Sequence, residues 1–453
     1  MSVSNEILFV SANRYCDPYP VYPLGVSYLK TYLSKRNPEW HISVFDFNCS
    51  SLEDFISLLE SRTFGFICVS LRNIDDTNIY AKNCFVGWYK EIIDTARQHS
   101  KAVIIIGGAG FSIFPAELFN DLNPDYGVTG EGEEALFELI TGIAERSDIS
   151  DIEGLVYKNN NSVKINPKGK TLSSIDLNFE ESLTEFYWQK SGMLNIQTKR
   201  GCPYNCIYCS YPIIDGRRVR TFDPERIVHE LKVMKETYGI DYVFFTDSVF
   251  NIRNNYNIEL AEQIIKSGLK VRWGAYFSHS DFERDHLRLF KDAGLTHIEF
   301  GTDSLSDRQL KNYRKSFTVD QVLKNSALCN EIGVFFAHFL IFGGYGETDE
   351  TIDESFENSK LIDNTVFFPY VGMRIYPGTE LYDRAVSEGR ISDPRELLNP
   401  VYYVSQSVTM EKLKEKAALT GKRWVFPDFD NTAVMLRLRA RNKKGPLWEY
   451  LRQ

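Results

Sequence analysis

The sequence predicts an α/β protein of two successive parts: an N-terminal doubly wound parallel sheet, then a partial (β/α) barrel, with a small helical C-terminal region. Three observations carry this. Short apolar runs alternate with stretches of helical period from Ile7 to Thr129. The alternation pauses over a polar stretch and restarts at Met193. Most of these runs end in glycines or a polar cluster, as strands of parallel sheets do at their carboxyl ends. The expected divisions are residues 1–147, a linker over 148–190, a barrel over 191–385 and a helical remainder over 386–453.

In the first part, Ile7-Leu8-Phe9-Val10 reads as a buried strand, followed by a Pro/Tyr-rich loop from Tyr15 to Pro23. Leu24 to Ser34 has helical spacing. His41–Phe47, Phe64–Ser70, Ala102–Ile106 and Tyr126–Thr129 are the further strands, separated by helical stretches such as Phe85–Gln98. Strand alternating with helix means a parallel sheet covered on both faces. In the linker, Asn159-Asn160-Asn161-Ser162 marks a hairpin turn. The second series places strands at Leu194–Thr198, Tyr242–Thr246, Val271–Phe277, His297–Phe300, Phe335–Phe342 and Phe367–Ile375. In βα repetition of barrel type, chemistry gathers at the carboxyl ends of the strands.

A chain of 453 residues with 43% hydrophobic and 14% aromatic content fills more than one core. A net charge of −9 argues against a general nucleic-acid binder, whose affinity rests on cations. No basic segment leads into an apolar run at the N-terminus, so no signal peptide is expected. The longest apolar run, Val334–Phe342, is too short to span a bilayer, so no transmembrane segment is expected. Eight cysteines are too sparse for a disulfide scaffold. A cytoplasmic, reducing location is the expectation. The basic tail cluster Arg437, Arg439, Arg441, Lys443 and Lys444 reads as a solvated face or as a contact for an anion.

One loop, Thr198 to Ser210, holds Cys202, Cys206 and Cys209 at C-x3-C-x2-C spacing. Three thiolates can converge on a metal centre. A zinc ion asks for a fourth ligand, and neither His229 nor Cys329 is near in sequence. A cubane iron–sulfur cluster usually takes four thiolates; three leave one iron open for a substrate. A zinc knuckle or three unrelated thiols are the alternatives. The stretch resembles the signature of the radical S-adenosylmethionine superfamily, including the aromatic Tyr208 before the last cysteine. The resemblance implies a 4Fe-4S cluster on Cys202, Cys206 and Cys209, S-adenosyl-L-methionine chelated by the open iron, and a 5′-deoxyadenosyl radical on one-electron reduction. It also implies an external electron donor of flavodoxin or ferredoxin type.

In the first part, Gly107-Gly108-Ala109-Gly110 is not G-x-G-x-x-G, so a dinucleotide is poorly supported. Glycines directly after a strand admit a flat ligand to the backbone. With Gly130-Glu131-Gly132-Glu133, Ser112 and Pro115, they resemble the cobalamin-binding domain that precedes many radical S-adenosylmethionine domains. The D-x-H-x-x-G motif that supplies a cobalt-ligating histidine is absent. His41 and His99 sit at element ends. Leu71, Arg72 and Asn73 leave the third strand at the end where a corrin ring would lie, and the resemblance places them beneath it.

Strand-end residues of the second part suit an adenosyl ligand. Asp247 and Ser248 are expected at its ammonium, Glu299 and Asp303 at ribose hydroxyls, and Ser304 at the carboxylate end. Gly343 and Gly344 are expected at adenine, and Arg374 at a carboxylate. His338 inside an apolar strand reads as a core histidine. The function expected from the resemblance is a cobalamin-dependent radical enzyme, most simply a C-methyltransferase acting on an unactivated carbon of a small molecule. A cyclase or rearrangement enzyme without methyl transfer, and a non-catalytic cobalamin and iron–sulfur sensor, are the alternatives. The cysteine assignment has a direct check. Alanine at Cys202, Cys206 and Cys209 together should abolish iron uptake on anaerobic reconstitution. Alanine at Cys16, Cys49, Cys68, Cys84 and Cys329 should leave about four irons per chain. Iron retained by the triple variant overturns the assignment.

Overall fold

The computed structural model describes residues 4–16, 18–160, 162–169, 171–172, 176–428 and 432–451. Strands β1 (Glu6–Ser11), β2 (His41–Asp46), β3 (Phe66–Ser70), β4 (Val103–Gly107) and β5 (Tyr126–Val128) form a parallel sheet in the order β2-β1-β3-β4-β5. The order reverses direction between β1 and β3, which opens a crevice at the strands' carboxyl ends. Their buried centres read as continuous apolar runs because helices cover both faces. Leu8, Val10, Ile67 and Ile106 pack toward one layer, and Ile7, Phe9, Phe66 and Ile105 toward the other.

The expected linker is not wholly a connector. β6 (Leu155–Asn159) and β7 (Ser162–Ile165) pair as an antiparallel hairpin and extend this first sheet beyond β5. Asn161 of the expected turn lies outside the described residues; Asn159 and Ser162 pair with each other.

The second sheet holds β8 (Leu194–Ile196), β9 (Tyr242–Phe245), β10 (Arg272–Phe277), β11 (Leu295–Asp303), β12 (Phe335–Phe342) and β13 (Thr365–Val371). All its pairs are parallel, and the spatial order follows the chain from β8 to β13. Each βα unit adds the next strand on the same side, which is the build of a barrel. β8 and β13 do not pair, so it stays open. The outer edge of β13 is covered by the returning tail: Phe367 N–H donates to Arg423 O and Val425 N–H to Phe367 O, both at 2.9 Å.

Two strand expectations shift. The expected strand Phe367–Ile375 breaks at Gly372, where φ is +74°; Met373–Arg374 then pairs antiparallel with Tyr402–Tyr403. The fourth strand of the second series is longer than its apolar core suggests, running from Leu295 to Asp303.

The two halves are pinned together by a buried ion pair. Arg374 Nε donates to Asp75 at 2.8 Å, and its remaining donors reach the carbonyls of Ile375, Val401 and Leu397. Among the described residues no helix is long and apolar enough to cross a membrane.

Candidate functional site

The cysteine loop begins where β8 ends, and a single carboxylate fixes that beginning. Asp247, just beyond β9, is fully buried. It accepts from Thr198 N–H at 2.7 Å, Lys199 N–H at 3.1 Å, Thr198 Oγ1 at 2.5 Å and Lys199 Nζ at 2.9 Å. Lys199 Nζ also donates to Phe250 O and lies 4.5 Å from the Phe250 ring centroid. Asp247 therefore has no capacity left for a ligand ammonium, and the expectation that it binds one is corrected. It clamps the root of the loop instead.

Beyond the clamp, Gly201 takes φ +93°, and a Cβ there would lie 2.2 Å from Arg218 O, so glycine is required. Cys202 N–H donates to Gly216 O, Ile207 N–H to Tyr313 O and Cys209 N–H to Cys206 O. Ser248 Oγ donates to Gly201 O at 3.2 Å. So held, Cys202 (buried), Cys206 and Cys209 (both half-buried) face one cavity of about 500 Å³. Ser248 and Glu299 line it too.

Among the described residues no three His, Cys, Asp or Glu side chains converge on a single ion. A cubane does not ask them to: each thiolate binds its own iron, so the cysteines must surround a volume. Burial pushes the Cys209 thiol up to about 12 and raises Cys206. Loading a metal must therefore displace protons. Lys315, whose charge opposes both shifts, is paired to Asp303 at 2.9 Å. The donor set and its cation suit an anionic iron–sulfur cluster.

Asp303 is committed, to Lys315 and to the Tyr208 hydroxyl at 2.5 Å. Ser304 shares a hydrogen bond with Ser355 in the buried layer. Gly343 abuts Val404 and Val408, and Gly344 abuts Tyr313 and Met373. Arg374 is consumed by Asp75 and three carbonyls. None of these five residues lines the cysteine cavity, and among them Arg374 has no donor left for the carboxylate expected there. Each looked free at a strand end because its partner comes from a distant element. His338 is a satisfied core histidine between Thr302 Oγ1 at 2.7 Å and Ser326 Oγ at 3.2 Å.

In the first sheet's crevice, a cavity of about 210 Å³ is lined by Ser70, Gly107, Gly108, Gly130, Glu131 and Glu133. Gly108 has φ +100°, and a Cβ there would meet Leu71 O at 2.7 Å. Leu71 itself is fully buried, so the expectation that it faces a ring is corrected. Arg72 and Asn73 line the adjoining cavity of about 510 Å³, between the two sheets. This pair of joined spaces, one narrow with glycine walls and one broad, fits a corrin with a nucleotide tail. His41 is exposed at a strand start and His99 pairs with Glu60 outside the crevice, so neither can ligate cobalt there.

Sequence reasoning missed three features. Arg200 spans the two halves: its guanidinium reaches Glu133 at 3.2 Å and Glu131 at 3.3 Å, and lines both crevice cavities. Tyr211 stands in the wall of both the broad crevice and the cysteine cavity. A third chamber of about 400 Å³ touches the broad crevice through Arg72 and Asn73, and the cysteine cavity through Glu299, Tyr276 and Tyr370. Its walls include Val425–Pro427 and Trp448 from the tail. The clamp is testable. Asp247→Asn leaves the Lys199 ammonium buried without its counter-charge, which should cost about 3–5 kcal/mol. A lower urea midpoint and lower iron retention are expected; an unchanged midpoint contradicts the clamp.

Comparisons with known proteins bear on this geometry. The radical SAM superfamily model matches residues 196–358, and the B12 binding domain model matches residues 11–140. An uncharacterized methyltransferase of Pyrococcus horikoshii is 26% identical over 377 residues, covering 81% of this chain and 78% of that one. The tryptophan 2-C-methyltransferase of Streptomyces laurentii is 24% identical, covering 79% and 71%. The radical S-adenosylmethionine methyltransferase TsrM of Kitasatospora setae superposes with a TM-score of 0.89 at 21% identity, covering 99% and 97%. The first match brings a [4Fe-4S] cluster and S-adenosylmethionine, and the second brings cobalamin. The chain thus carries a B12 binding domain match ahead of a radical SAM superfamily match.

Proposed function

We propose that the chain is a cobalamin-dependent radical S-adenosylmethionine C-methyltransferase that acts on an unactivated carbon of a small molecule. The observation that carries this is the adjacency of three spaces: the cysteine cavity and the broad crevice each share a wall with the third chamber. The methyltransferase names of its relatives support the same reading. When bound, the cluster with S-adenosylmethionine supplies a 5′-deoxyadenosyl radical, and cobalamin supplies a methyl group.

The protein's own part is to hold, orient and enclose. Cys202, Cys206 and Cys209 hold the cluster, with Lys315 offsetting its charge. Ser248 and Glu299 stand within the cavity that S-adenosylmethionine would share with it. Gly107, Gly108, Gly130 and Glu131 form the narrow slot for the cobalamin tail, and Arg72 and Asn73 face the broad space for the corrin. The tail contributes Val425–Pro427 and Trp448 to the wall of the third chamber. A flavodoxin- or ferredoxin-type donor would supply the electron, and a reducing cytoplasm would preserve the cluster.

The test is product stoichiometry with trideuteromethyl-labelled S-adenosylmethionine and the reduced, fully loaded enzyme. Methyl transfer through both cofactors should release 5′-deoxyadenosine and S-adenosylhomocysteine in near-equal amounts, with label in the product. Substrate consumption with 5′-deoxyadenosine alone, and no label, would replace this reading with a cyclase or rearrangement.

A further inference from the structure

The third chamber has a chemistry of its own. Its one deeply buried acid is Glu299, only 6% exposed and lining both this chamber and the cysteine cavity. Glu299 Oε1 accepts from Trp448 Nε1 at 3.1 Å. A carboxylate takes about four hydrogen bonds, so acceptor capacity remains. Desolvation, opposed only by that one hydrogen bond, pushes the Glu299 carboxyl up to about 7. A buried acid so placed gains from any donor a ligand brings.

One wall of the chamber, beside Glu299, is flat and aromatic. The Phe339 and Phe368 rings stack at 5.0 Å and 12°, and Tyr370 continues the slab at 6.3 Å and 27° from Phe339. Tyr276 and Tyr370 expose 40% and 39% of their surface, yet burial raises the Tyr276 hydroxyl and takes that of Tyr370 up to about 12. Their exposed faces therefore look into the molecule, onto the chamber. Aromatic slabs favour flat partners, in offset or edge-on contact; Arg72, Asn73, Asp76 and Asn78 make the polar side of the chamber, and Glu299 is its most deeply buried carboxylate.

We propose that this chamber is the substrate site and that it takes a planar aromatic small molecule presenting an N–H or ammonium donor to Glu299. The assignment rests on the reading of the chamber given above. Glu299 is here a specificity-determining residue, Trp448 holds its carboxylate in place, and Phe339, Phe368 and Tyr370 set the plane of the ligand.

Equilibrium dialysis of the cluster- and cobalamin-loaded chain against indole and benzofuran tests this. The two probes share shape and aromaticity, but only indole donates. Indole should bind about tenfold tighter than benzofuran, the scale of one hydrogen bond to a charged acceptor. Glu299→Gln should remove most of that preference without weakening benzofuran. Phe339→Leu should weaken both probes severalfold and keep the preference. Equal affinities in the parent chain, a preference that survives Glu299→Gln, or unchanged binding of both probes in Phe339→Leu would each overturn the proposal. None of these measurements requires turnover, so a failure of methyl transfer and a failure of this assignment are read separately.

Discussion

The carboxylate of Asp247 is the constraint on which the rest of the site depends. A fully buried acid costs heavily unless it is paired and hydrogen-bonded, and this one is met by two backbone amides, a hydroxyl and an ammonium. Every one of those donors belongs to Thr198 or Lys199. The clamp thus joins the end of β9 to the end of β8 and fixes the direction in which the chain leaves toward Cys202. One residue further on, Arg200 carries the same order into the first domain by binding Glu131 and Glu133. Root of the cysteine loop and glycine turn of the crevice are therefore held by two buried ionic contacts made from adjacent residues.

Enclosure comes from elsewhere. The open barrel would leave its interior wet, and the C-terminal region supplies what the strands do not. Trp448 and Val425 pack against Ala337 and Val366 on the inner face of β12 and β13. Asp75 and Arg374 hold the first domain against the strand segment that follows β13. Opposed in this way, the two domains share the joined spaces lined by Arg72, Asn73, Arg200 and Tyr211. A low local dielectric strengthens each polar contact made inside, which is why Glu299, the most deeply buried acid of the third chamber, has such weight.

The fold was legible because apolar runs and helical periods are local signals, and the strand series in both halves follow them closely. The cysteine triple and the glycine turns were legible for a related reason: all their members share one loop or turn. The strand-end polar residues were not. Asp247 reads the same in sequence whether it is free for a ligand or clamped to Lys199. Arg374 finds Asp75 299 positions away, and Glu299 meets Trp448 149 positions away. Nothing in local composition announces such pairs. The hairpin's turn was legible, but its place in the first sheet was not: its outer strand, Ser162-Val163-Lys164-Ile165, has the polar pattern of an edge.

The central claim is that cluster and cobalamin sit on either side of one small chamber. The measurement that tests it most directly is the power saturation of the cobalt(II) paramagnetic resonance signal in the loaded chain. Two unpaired spins this near relax one another. With the cluster reduced, the cobalt signal should saturate less readily than in the Cys202, Cys206 and Cys209 triple-alanine chain loaded with the same cobalamin. Identical saturation in the two samples would place the centres apart and contradict the account.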